Sequence, residues 1–424
     1  MRYALYKGLT WGVWTLSLPW LAWRRATGGG EWSQRLGALP PLGDGIWVHA
    51  ASVGEVSAAA PLVRGLVGTG ESVMLTVMTP TGRVAAARLE KEGASVAFPP
   101  LDLPPAVDRA LDAVSPRALL VVETELWPNM IVGAAARGVR VCVVNGRLSE
   151  GSVSRYGGPF FPLRDVRAAI SFVACRSEED RARFARLGFP DGDLDVTGST
   201  KFDLLPEPPD PDARSSLRRE LGVADGVSVI VFGSVRPAEE EAVLDVAASL
   251  ADDGRAHSVV APRHLRRVES LERGLRSRGL AYVTRSSGEL ATGGASVTVL
   301  DTTGELGRLY GAADVAFVGG TLAPYGGHNP LEPASLGVPV LVGAHTESCA
   351  LEAELLIGRG GAARVRDGEE LLVRVRSLLD DDSERASMGG RALMAVSSGR
   401  GATARTLEVL RKRGVLGSPE ARSA

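Results

Sequence analysis

The chain has 424 residues, 45% of them hydrophobic and 23% charged, which fits a globular protein of two or more domains with packed cores. Its net charge is -2 and no block of Lys and Arg runs through it, which argues against nucleic acid as a partner. Cys142, Cys175 and Cys349 lie far apart with no CxxC, so neither a disulfide framework nor a zinc site is expected and a reducing compartment fits.

In chain order, the first feature is GLTWGVWTLSLPWLAW, Gly8 to Trp23. It carries no charge, four tryptophans and one proline, with Arg2 and Lys7 before it and Arg24 and Arg25 after it. It is slightly short for a transmembrane helix. Tryptophans and flanking cations suit the membrane interface. Residues 1–27 are therefore expected to be a membrane anchor, spanning or lying in one leaflet.

Strand-like runs follow at Ile46–Ala50, Ser72–Val77, Ala118–Val122, Val139–Asn145, Ile170–Cys175 and Leu194–Thr197. Helical stretches such as Val84–Lys91 and Glu178–Leu187 separate them, the alternation of a parallel α/β sheet. The first run leads into HAASVGEV (49–56) and then a long Ala/Leu/Val stretch, so a strand turns into a helix there. Ser52 and Glu55 fit a capping box, Ser52 at N-cap and Glu55 at N3. The same carboxylate sits where open α/β sheets place their chemistry. Cap and catalytic base are thus both open to Glu55. VVETELWPN (121–129) puts Glu123 and Glu125 at the end of a buried strand, with Trp127 and Pro128 stiffening the loop. GSTKFD (198–203) offers Lys201 after another strand.

LLPEPPDPDARSS (204–216), with four prolines and three acidic residues, reads as a linker. A second alternating series has strands at Val227–Gly233, Ser258–Ala261, Ala281–Thr284, Ser296–Leu300, Val315–Val318 and Val338–Val342. GSVRPAEEE (233–241) places Glu239 and Glu240 in a helical first turn, where carboxylates suit the dipole. APRH (261–264) offers Arg263 at a strand end. DGDLD (191–195) reads as a surface turn. No histidine pair has ligand spacing, so no metal is expected. In GGTLAPYGGHNPLEPASLGVPVL (319–341), Asn329 suits N-cap, Pro330 N1 and Glu332 N3. The glycines before it, Gly326 and Gly327 nearest, let backbone N–H groups approach a phosphate, and a helix N-terminus favours the anion. Glu332 could then accept from ribose hydroxyls. The tail, Ser383 to Arg413, reads as helical with glycine breaks. The expected architecture is two doubly wound α/β domains facing a cleft, behind a membrane anchor.

WVHAASVGEV, ETELWPN, NGRLS, KFD, PRH, DTTGELGRLYGAADVAFVGG and GGHNPLEPA occur in that order. Together they resemble the 3-deoxy-D-manno-octulosonic acid (Kdo) transferases of lipopolysaccharide synthesis, from the anchor to about Glu354. The resemblance implies a GT-B glycosyltransferase with two Rossmann-like domains. Residues 28–205 would form the acceptor-binding domain, 206–216 the linker, and 217–424 the CMP-Kdo-binding domain with a C-terminal helix. It implies an inverting, metal-independent and cofactor-free transfer of Kdo from CMP-Kdo to a lipid A precursor, at the cytoplasmic face of the inner membrane. Glu55 would be the base. Lys201, Arg263, Gly326, Gly327, Asn329 and Glu332 would bind the donor; Ser52, Gly54 and Glu123 would line the acceptor side. Ser52 is expected to cap its helix alone, leaving the Glu55 carboxylate to the acceptor. The sequence departs from the family at Arg236, where histidine is usual, at Ser199, and around Ser348. A UDP-sugar transferase, a nucleotide-sugar epimerase of similar fold, and a degenerate nucleotide-binding homologue are the other readings.

Overall fold

The computed structural model describes residues 2–291 and 294–417; Met1 and 418–424, the outer ends of the expected domain ranges, lie outside them. The chain forms two compact units. One comprises the residues up to Leu204 together with those from Gly399 onward; the other is Leu205–Ser398.

The first unit is built on seven parallel strands: β1 Ile46–Ala50, β2 Val73–Val77, β3 Ser95–Ala97, β4 Ala118–Val122, β5 Arg140–Gly146, β6 Ile170–Cys175 and β7 Leu194–Val196. Their order is β3-β2-β1-β4-β5-β6-β7. Every residue of β1, β2 and β4 is buried, because helices cover both faces of a parallel sheet. The period of two sorts side chains between two cores. Ile46, Val48 and Ala50 join one core, and Trp47 the other. The order reverses direction between β1 and β4, so the loops leaving those two strands diverge and open a crevice.

The second unit repeats the plan with β8 Ser228–Val235, β9 Ala256–Pro262, β10 Tyr282–Thr284, β11 Val297–Val299, β12 Val315–Val318, β13 Val340–Val342 and β14 Ala362–Arg364. The order is β10-β11-β9-β8-β12-β13-β14, with the reversal between β8 and β12. The doubly wound α/β class is as expected. Two strands escaped the sequence, β3 and β14. Each is three residues long at a sheet edge, too short to show a hydrophobic run.

The domain boundaries need two corrections. The C-terminal helix, Ala402–Lys412, belongs to the first unit, not the second. Asp203 of the KFD stretch accepts from the N–H groups of Gly401 (2.6 Å) and Thr403 (2.7 Å), which caps that helix. Leu407, Leu410, Val415 and Leu416 complete the core around β1. The expected linker is also shorter. Asp210 caps a helix, Pro211–Glu220, by accepting from the Ala213 N–H at 2.7 Å, with proline at N1.

The N-terminal segment is one helix, Arg2–Thr27. Among the described residues no helix is long and apolar enough to cross a membrane. The spanning form of the expected anchor is therefore not met. The uncharged run from Gly8 to Trp23 spans about 24 Å as a helix, short of a ~30 Å hydrocarbon core. Its inward stripe is Tyr3, Tyr6, Thr10, Trp14, Ser17, Leu21 and Arg24, the spacing of one helix face. Tyr6 donates to Asp102 (2.9 Å), and the Asn129 amide donates to Thr10 (3.1 Å). The apolar side chains Leu5, Leu9, Trp11, Val13, Leu16, Trp20 and Trp23 are exposed instead.

Candidate functional site

In the first unit the site residues collect at the β1/β4 reversal. Helix Val53–Gly68 starts immediately after β1, with Ser52 as N-cap accepting from the Glu55 N–H at 3.3 Å. The expectation that Ser52 caps alone is corrected. The Glu55 carboxylate accepts from the Ala51 N–H at 2.5 Å and from the Ser52 hydroxyl at 3.3 Å. It therefore satisfies a donor at the helix entrance, one residue ahead of the N-cap. Capping has not left it an ordinary carboxylate. Burial pushes its pKa up to about 7; the Ala51 bond opposes this, and the charges of Glu125 and Glu123 add to it. Ser52 and Gly54 lie exposed on the same turn.

Glu123 follows β4 with φ of 57°, a left-handed conformation uncommon for any residue but glycine. It turns the chain away from the sheet. Its carboxylate is ion-paired with the Lys201 ammonium at 3.1 Å. Lys201 stands on the 3-10 turn Thr200–Leu204. Asn145 holds that turn by accepting from the Thr200 N–H at 3.1 Å, and the Thr200 hydroxyl donates to the Ala58 carbonyl at 2.6 Å. Lys201, expected with the donor residues, thus groups with Glu123 in the first unit. His49 has no role in the sequence reading. It is fully buried, and burial pushes its pKa down to about 3, so it is neutral. Its Nδ1 lies 3.0 Å from the Thr76 hydroxyl and its ring packs edge-on against Trp127 at 4.5 Å. Trp127 in turn donates to Glu125 at 3.0 Å.

In the second unit the residues after β8 and β12 meet. Glu239 is fully buried and accepts from the backbone N–H groups of Gly320 (2.6 Å), Thr321 (2.8 Å) and Leu322 (2.8 Å). It also accepts from the Arg236 N–H at 3.0 Å. The sequence assigned Glu239 only to a helix dipole, since nothing in its spacing marks a carboxylate folded inward onto a distant loop. The N–H groups around the first glycine pair are therefore occupied by Glu239. Gly326 and Gly327 both have positive φ, 86° and 85°, and a Cβ on Gly327 would stand 2.9 Å from the Cys349 sulfur. Both their conformation and their space require glycine.

The helix expected at Asn329 is a single turn, Leu331–Ala334, with Pro330 in the N-cap position. Asn329 accepts from the Leu331 N–H at 3.1 Å. Glu332 is half-buried beside Asn329, and burial pushes its pKa up. One turn aligns few peptide dipoles, so anion binding by a helix N-terminus has little support here. Cations are present instead. Arg236 Nη1 lies 3.2 Å from His264 Nε2, and its guanidinium stacks over Tyr325 at 5.1 Å. Burial pushes the His328 pKa down to about 4, and the charges of Arg236, Arg263 and His264 add to the effect. Among the described residues, neither Arg236 nor Arg263 has an ion-pair partner. Arg236 Nε and His328 Nε2 are buried with no hydrogen-bond partner among the described residues. Uncompensated positive charge of this kind suits an anion. Arg236 entered the sequence reading only as a departure from the family, yet it is central to this cluster.

Residues 30–204 match the sequence family described as 3-deoxy-D-manno-octulosonic-acid transferase (kdotransferase). The 3-deoxy-D-manno-octulosonic acid transferase of Bordetella pertussis is 37% identical over 94% of this chain and 98% of its own length. Among solved structures, a glycosyltransferase from Rickettsia africae is similar at a TM-score of 0.58 and 10% identity, over 87% of this chain and 98% of that one. A UDP-GlcNAc 2-epimerase from Neisseria meningitidis is similar at 0.59 and 14% identity, over 87% of this chain and 100% of that one. These two likenesses show the fold alone: two parallel α/β domains of the GT-B kind.

Proposed function

This chain belongs to the 3-deoxy-D-manno-octulosonic acid (Kdo) transferase family, and on that premise we propose that it transfers Kdo from CMP-Kdo to a hydroxyl of a lipid A precursor. The Glu55 carboxylate carries this reading. It stands at the strand-order reversal of its sheet, with a pKa near that of an effective general base at neutral pH. In the proposed reaction Glu55 removes the acceptor hydroxyl's proton. The hydroxyl oxygen forms the new bond to the anomeric carbon of Kdo as the bond to the CMP phosphate oxygen breaks. CMP leaves with the electron pair, and attack opposite the leaving group inverts the centre.

Donor binding falls to the second unit. The donor carries a phosphate and a carboxylate. Arg236 and Arg263 supply N–H donors and positive charge to match, and the neutral His328 ring offers a further N–H. Gly326 and Gly327 leave room for close approach to the backbone, and Glu332 with Asn329 offers oxygens to the ribose. Lys201 adds a cation beside Glu123 in the first unit. In this reading Arg236 and Arg263 of the second unit neutralise the leaving phosphate without a metal ion. The N-terminal helix fits a lipid acceptor. Its outward apolar face and flanking cations suit a helix lying in the interface, which we place at the cytoplasmic face of the inner membrane.

The test is transfer itself. Purified protein is incubated with a tetraacylated lipid A precursor and CMP-Kdo in EDTA, and products are weighed by mass spectrometry. A product heavier by Kdo is expected from the wild type. Glu55→Gln is expected to lower kcat by about 10²–10⁴-fold while still binding CMP. Full activity in the variant would return Glu55 to its cap, and an activity lost to EDTA would overturn metal independence.

A further inference from the structure

The reaction leaves one large cavity of the first unit without a role. It has a volume of about 620 Å³. Its walls are chiefly apolar, with Met78, Leu101, Leu126, Trp127, Phe160 and Phe161 among them. Polar groups reach it too; those of Tyr6, Asp102 and Tyr156 are engaged within the protein, and the Arg155 guanidinium is exposed. Tyr6 donates to Asp102 at 2.9 Å. Asp102 accepts further bonds from the N–H groups of Asn129 (3.2 Å) and Met130 (2.8 Å). The Tyr156 hydroxyl donates to the Thr124 carbonyl at 2.5 Å and accepts from Arg155 at 3.1 Å. A sugar placed here would give up water around its hydroxyls and find few partners in exchange. A hydrocarbon chain has no such loss and gains burial.

Three further observations agree. Phe160 is 94% exposed at this cavity, an aromatic ring left in water where an apolar ligand would cover it. Tyr6 belongs to the N-terminal helix, so the cavity shares a wall with the element whose outward face is apolar. Trp127 lines the cavity and donates to Glu125, whose charge acts on Glu55, which links the cavity wall to the base.

We propose that this cavity takes one acyl chain of the lipid acceptor, held between Leu101, Trp127 and Phe160, so that the acceptor's acylation is read beside the base. The proposal rests on the reading that the acceptor is an acylated lipid. Two readouts keep the cavity and the reaction apart. The first is binding of a brominated lauroyl chain below its micelle concentration, followed by tryptophan fluorescence in the full chain, in Trp127→Phe and in Leu101→Phe. Saturable quenching is expected, with the Trp127 component missing in Trp127→Phe. Leu101 is half-buried, so a larger ring there fills the cavity without disturbing the core. At roughly fourfold in affinity per excluded methylene, Leu101→Phe should raise Kd at least about tenfold. Quenching identical in the wild type and Trp127→Phe would overturn the proposal.

The second readout is transfer to the acylated precursor and to its deacylated counterpart. Leu101→Phe and Phe160→Ser should raise KM for the acylated acceptor several-fold, leaving kcat and the deacylated acceptor's KM unchanged. An equal rise for both acceptors would overturn the acyl assignment and make the cavity part of a sugar site. A wild type that quenches through Trp127 but transfers to neither acceptor would support the acyl site and overturn the proposed reaction.

Discussion

The Glu55 carboxylate is held by the Ala51 N–H and the Ser52 hydroxyl, and both bonds favour its charged form. Burial and the neighbouring Glu125 and Glu123 favour the neutral form and prevail, which puts the pKa at about 7. A base must be deprotonated to act. The ratio kcat/KM is therefore expected to rise with pH through about 7 and to level above it, a limb that Glu55→Gln should lack in a pH-rate series. The stability sign is opposite. A folded-state pKa raised above the unfolded value gives stability that is full below about pH 4.5 and lost as pH rises through about 7. Glu55→Gln should thus melt higher than the wild type at pH 8, with the gap closing at pH 5. In the second unit, Arg236 and Arg263 add positive charge around His328 and lack ion-pair partners among the described residues. Replacing either by alanine is expected to raise KM for CMP-Kdo by about 10–100-fold, each charge-assisted bond contributing roughly 1.5–3 kcal/mol. The acceptor's KM should stay unchanged, as steady-state kinetics with each substrate varied would show.

At the scale of elements, the candidate site residues of both sheets include turns where the strand order reverses, and in each unit a carboxylate ties such a turn in place. Glu55 is tied to Ala51 at the start of its own helix. Glu239 is tied to the Gly320–Leu322 loop some eighty residues away in sequence. Glutamine at 239 would set an amide NH₂ against N–H donors that now face an oxygen. Leaving buried donors unsatisfied costs about 1–3 kcal/mol each. Glu239→Gln is therefore expected to lower unfolding free energy by about 3 kcal/mol in urea titrations, with weaker donor binding in the molecules that remain folded. Asp203 does comparable work for the C-terminal helix, which explains why a segment at the far end of the sequence completes the first core.

For the whole molecule, the N-terminal helix inverts the usual pattern: its packed stripe is rich in hydroxyls and its outward face in Leu and Trp. The full chain is expected to cosediment with anionic vesicles, and Leu9→Ser with Leu16→Ser to weaken binding at least about tenfold. Each exposed leucine has about 1.5–3 kcal/mol to gain from burial. The doubly wound class was legible in the chain, because strands buried on both faces write continuous apolar runs such as Ile46–Ala50 and Ala118–Val122. The Ser52 cap was legible because it depends on neighbours within a few residues, whereas the space that demands glycine at Gly327 is set by Cys349, far along the chain. The edge strands β3 and β14, the partnership of Glu239 with a distant loop, the Lys201–Glu123 pair, the Arg236–His264 contact and the placement of the C-terminal helix were decided only by tertiary structure. Each joins residues far apart in the chain, and no local period or spacing records which distant partner a buried charge or a short strand will meet.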